Sequence, residues 1–73
     1  MNHFPAPPEV RLLLKEIGQK AKTPGITPYV VHELEQQLES VLKKYPHEII
    51  LGPLLDQYLE ASVSIAEAEK LIS

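Results

Sequence analysis

ITPYVVHELEQQLESVLKKYP, residues 26–46, is the stretch that decides the fold. Thr27 is a good helix N-cap, and Pro28 follows at the first helical position, where its missing N–H costs nothing. Ile26 before the cap and Val31 four positions into the helix are placed to form a hydrophobic staple. Val31, Leu34, Leu38, Val41 and Tyr45 then recur at spacings of three and four, an apolar seam two heptads long. Val30 and Leu42 widen it into the stripe of an ordinary bundle helix. Lys43 and Lys44 suit the negative end of the helix dipole, and Pro46 stops the helix at Tyr45.

The helical reading extends in both directions. Upstream, Val10, Leu13, Leu14, Ile17 and Ala21 form one stripe, opposite Arg11, Lys15, Gln19 and Lys22. This predicts a helix over 8–22, opened by a proline. Residues 1–7 read as a short extended lead, with Pro5 and Pro7 fixing φ, and 8–73 as a single domain. Thr23-Pro24-Gly25-Ile26-Thr27-Pro28 is a loop.

Downstream, residues 47–51 are too short an apolar run for periodicity to separate strand from helix. A lone strand has nothing to pair with, so the segment reads as helical. A third helix is expected through about Ala61, kinked or restarted at Gly52-Pro53, with Leu51, Leu54, Leu55, Tyr58 and Leu59 on a broad apolar face. Ser64-Ile65-Ala66-Glu67 has the form of a capping box and predicts a fourth helix beginning at Ser64. The expected fold is all-α, a compact bundle of about four short helices.

Composition supports this class. Leu, Ile and Val number 11, 6 and 5, against one Phe and no Trp, a Leu-rich helical pattern. With 73 residues and no cysteine, the chain has neither disulfides nor thiolate metal sites to reinforce a small core. Good packing or association must do so. The absence of cysteine also fits a reducing compartment. The N-terminus shows no signal-peptide pattern, and the apolar runs are too short to span a bilayer, so a cytoplasmic, non-membrane protein is expected.

The net charge is −3 and it is unevenly placed. Residues 46–73 carry one base, Lys70, and five acids: Glu48, Asp56, Glu60, Glu67 and Glu69. Such a half disfavours a nucleic-acid backbone or an anionic membrane as partner.

Catalytic patterns are not met. His32-Glu33 and His47-Glu48 open like a zinc-protease helix, but Gln36 and Leu51 stand where the second histidine belongs. The serines lack a glycine-flanked elbow, and the three glycines are isolated. The carboxylate pairs Glu35/Glu39 and Glu67/Glu69 read as solvated helix faces. The chain is expected to be no enzyme, with no cofactor and no metal.

Ser64–Ile72 resembles the first helix of a helix-turn-helix motif, a capped Glu-Ala helix, though no recognition helix follows within these residues. What remains is a module that binds another protein, an adaptor or regulator, expected to form a homodimer through Val31, Leu34, Leu38, Val41 and Tyr45. Asp56 and Glu60 offer an acidic face to a basic partner. Two alternatives use the same residues: a small accessory subunit or assembly factor of a larger complex, and a DNA-associated regulator acting through the basic face of the first helix (Arg11, Lys15, Lys20, Lys22).

Overall fold

The computed structural model describes residues 7–72. Most of the lead expected over 1–7 therefore lies outside the described residues, as does Ser73. Four helices follow in order: α1 Pro8–Ala21, α2 Pro28–Lys44, α3 His47–Ile50 and α4 Leu55–Ile72. The all-α class with four short helices is the one the sequence predicts.

The starts of α1 and α2 follow the local chemistry. Pro8 opens α1 after an extended Pro7, and Pro28 opens α2. The Thr27 hydroxyl accepts from the Val30 N–H at 3.3 Å. Between these helices the Thr23 hydroxyl donates to the Gln19 carbonyl at 3.1 Å. Gly25 there has φ +77°, a left-handed conformation that a side chain would strain. At its far end α2 closes at Lys44 because Tyr45 is extended (ψ 149°), as the residue before a proline prefers.

Residues 47–51 are helical in outline, giving the short α3 with Leu51 as its C-cap. At Gly52-Pro53 the chain breaks more fully than a kink would require. Pro53 has no N–H to donate to Ile49, so the helical ladder is lost there. Instead the Leu54 N–H donates to the Ile49 carbonyl at 3.3 Å and the Leu55 N–H to Gly52 at 3.2 Å. A Cβ on Gly52 would lie 2.6 Å from the Glu48 carbonyl oxygen, so the turn closes only without one. The helix expected to restart at Pro53 accordingly starts at Leu55.

The break expected between Ala61 and Ser64 does not occur. Helix α4 runs through both, and Ser64 is an interior, buried residue and not an N-cap. Two physical reasons account for this correction. Ser62 and Val63 are neither glycine nor proline, so nothing interrupts the ladder. Ala61, Ser64 and Ala68 also form one buried row of small side chains, which a break at Ser64 would pull apart. Packing outweighs the local cap.

Helices α1, α2 and α4 make a three-helix bundle. Leu14 and Arg11 share a groove with Gln57, Gly18 sits against Ala61, and Ala21 lies near Ser64 and Ala68, so α1 and α4 run parallel. Leu42 lies near Ser62 and Glu35 near Glu69, so α2 runs antiparallel to α4. The core is Leu14 and Ile17 of α1, Leu34 and Val41 of α2, and Ala61 and Ile65 of α4. Ile49, Ile50 and Leu54 from α3 and the following turn join the same core.

The buried Gly18 and the exposed Gly52 therefore differ. A Cβ on Gly18 would meet Ala61 Cα at 3.7 Å, ordinary contact distance. Gly18→Ala is expected to stabilise the bundle by about 1 kcal/mol through helix propensity. Gly52→Ala is expected to destabilise it by about 1–3 kcal/mol through overlap with a backbone oxygen. Urea unfolding followed by circular dichroism checks both signs.

Candidate interaction surface

The seam expected as an interface faces inward. Val31, Leu34, Leu38 and Val41 are all buried within the single chain, and Tyr45 is half-buried beside them. In this fold Val31, Leu34 and Val41 are turned into the chain's own core, and Leu38 reaches the surface only as part of a groove lining. The Lys44 ammonium stands 5.7 Å from the centre of the Tyr45 ring, a cation–π contact at the end of α2.

Asp56 and Glu60 are exposed on α4, as an acidic face requires, but Glu60 is already engaged. Its Oε1 accepts from the Lys22 Nζ at 2.6 Å, and that pairing holds its pKa below the ordinary glutamate value, with Lys15 adding to the effect. Arg11, Lys15 and Lys22 line the groove between α1 and α4 with Gln57 and Glu60. Lys20 lies apart from them, by the loop at Thr23–Thr27. The basic row of α1 is thus divided, and part of it is matched by α4.

On the other flank of α4 three glutamates stand along one groove. The groove between α2 and α4 has a floor of Leu38, Leu42, Ile65 and Ala66, and a rim of Glu35, Glu39 and Glu69. Glu35 lies within hydrogen-bonding reach of Glu69, and a proton shared between them holds the Glu35 pKa above its ordinary value. Partial desolvation and the charges of Glu69 and Glu39 act in the same direction, while His32 opposes them. Lys43 reaches Glu39 at only 3.7 Å.

The outward side of α4 carries an apolar row among its charged residues, although the opposite side is already core. Leu59 and Val63, four residues apart, are 48% and 55% exposed. Leu55 is half-buried one turn earlier, and Ala66 is exposed one turn later. Leu51, in the turn before α4, is 56% exposed. Leu59 and Leu55 belong to the apolar face expected from the sequence, but Val63 was hidden by the break expected next to it. Its signal was a second apolar phase, Leu55, Leu59, Val63 and Ala66, running beside the core phase of Leu54, Ala61, Ile65 and Ala68.

Among the described residues no three His, Asp or Glu side chains gather closely enough to hold a metal ion, and no helix is long and apolar enough to cross a membrane. His32, read in the sequence against a zinc helix, has its Nε2 3.2 Å from Gln36 Nε2. No known protein family, curated protein or solved structure matches the chain.

The two shifted glutamates set opposite slopes of stability against pH. Glu35 binds its proton more tightly in the folded chain, so its stabilising share is full below the ordinary glutamate pKa and is lost as pH rises through the raised value. Glu60 binds its proton less tightly, so its share is present above the ordinary value and is lost as pH falls through the lowered one. Thermal melts are expected to show a maximum between the two, on the acid side of neutrality. In Glu35→Gln the loss on the alkaline side of that maximum should shrink and the Tm at pH 7 should rise. An unchanged profile would show that the Glu35–Glu69 contact is not held in the folded chain.

Proposed function

We propose that this chain is a non-catalytic protein-interaction module, an adaptor or regulator that docks its partner on the outward face of α4. The observation that carries this reading is the pair Leu59 and Val63, half-exposed at one-turn spacing on a helix whose other side is core. Single exposed aliphatic residues are ordinary on protein surfaces. An aligned row continuing to Leu55 and Ala66 is a surface that a partner can cover with profit in apolar burial. The buried seam of α2, occupied by the chain's own helices, leaves α4 as the better candidate. Open, solvated grooves and carboxylates placed at a rim support a binding role over an acid–base one, which calls for a concave, partly dry site. Lack of cysteine supports a reducing, cytoplasmic setting.

The accessory-subunit reading uses the same face, with a larger complex as the permanent partner. Both readings share one test. Expressed in its own host, the chain is expected to elute well above its 8.2 kDa monomer mass. The Leu59→Glu, Val63→Glu double variant should return to the monomer position while keeping its helical circular dichroism and its Tm within a few degrees. A folded double variant that stays in the large species would overturn the assignment of this face.

A further inference from the structure

We infer that the occupant of this face is an amphipathic helix of another protein, bearing lysine or arginine along its flank and lying over the groove between α2 and α4. The inference rests on the docking role proposed for α4 and adds the shape and charge of the partner.

The shape comes from the bundle. Three helices packed together leave a long groove wherever two of them meet away from the third. Helices α2 and α4 meet antiparallel, and a helix laid in their groove would occupy the fourth position of a four-helix bundle. The groove suits that occupant along its length. Ser62 and Ala66 are small, so a backbone can approach closely there. Ala66, which continues the row of Leu55, Leu59 and Val63, lies in the groove itself, and Leu42 lines it from α2, so side chains spaced at three and four residues would pack there with the outward row beside them.

The charge separates the possible occupants. Glu35, Glu39 and Glu69 stand along the rim, with Lys43 3.7 Å from one of them. Because Glu35, Glu39 and Glu69 line the same groove, a cation placed among them relieves like-charge repulsion in the free chain. A second copy docked through the same face about a two-fold axis would bring the same carboxylates against one another. A nucleic acid or an anionic lipid surface would be repelled in the same way. The groove between α1 and α4 is the wrong seat for a basic helix, because Arg11, Lys15 and Lys22 line it. Charge therefore selects both the partner and the groove.

The probe is a synthetic 18-residue amphipathic helix, leucine on one face and lysine on both flanks, compared with the same helix carrying glutamate for every lysine. Affinity is read by fluorescence anisotropy at low salt, and location by amide shifts of the labelled chain. The lysine helix is expected to bind at least about tenfold more tightly than the glutamate helix, with the gap narrowing as salt screens the charges. Shifts should concentrate at Glu35, Leu38, Ser62 and Ala66. Glu35→Gln with Glu69→Gln should weaken the lysine helix severalfold. Glu9→Gln with Glu48→Gln, the same change in net charge away from the groove, should leave its affinity unchanged.

Equal weakening by the two pairs of variants, shifts centred on α1, or no binding of the lysine helix would overturn the inference. If both helices bind alike and Leu59→Glu, Val63→Glu abolishes both, the docking face stands and the basic partner falls. If the lysine helix does not bind and the double variant also keeps its place in the native complex, both proposals fall.

Discussion

The close approach of Gly18 to Ala61 is the contact on which the rest of this structure depends. A methyl placed on Gly18 would lie at van der Waals distance from the Ala61 Cα, so the two helices meet almost backbone to backbone. Ala21, Ser64 and Ala68 keep the interface thin toward the other end of α1. Thin packing sets the rotation of α4 about its own axis. With Ala61, Ser64 and Ala68 turned inward, Leu59 and Val63 have no direction left but outward. The exposed row is thus a consequence of how the small residues pack, and the helix has more apolar side chains than one core contact can cover.

Electrostatics then gives the two flanks of α4 different characters. Toward α1 the carboxylate of Glu60 meets Lys22 within the chain, an exposed pair of small energetic value that nonetheless leaves little charge for a third party. Toward α2 acid faces acid, with Glu69 opposite Glu35. A protein under selection for stability alone has little reason to keep like charges on both sides of an apolar groove. Like charges facing one another across the groove cost the free chain some stability.

Where a boundary depended on its own few residues, the sequence was legible. Thr27-Pro28 and Tyr45-Pro46 bracket α2 through capping and the steric demands of proline, and both act within a turn. The periodicity of α1 and the helical character of 47–51 were legible for the same reason. The Ser64 capping box was misleading because it is a local option that loses to a distant contact: the partner that holds Ser64 inside the helix is α1, more than forty residues earlier in the chain. The seam of α2 was ambiguous for a related reason. Spacing shows that Val31, Leu34, Leu38 and Val41 share a face, and it does not say whether the covering helices come from the same chain. The real candidate surface needed the rotation of α4, which is set only once α1 is in place.

The parallel course of α1 and α4 has a mechanical consequence. Pro8 begins α1 at the end of the bundle closed by α3, and Ile72 lies at the opposite end, beside the loop between α1 and α2. Tension applied between these two points would pull α1 and α4 past each other along their shared length, loading their contacts together and not one turn at a time. Sliding by one helical turn would bring bulkier side chains against Gly18 and Ala61, so the thinnest part of the interface also acts as its detent. A bundle of the same size with its ends side by side would instead open like a zipper under the same load.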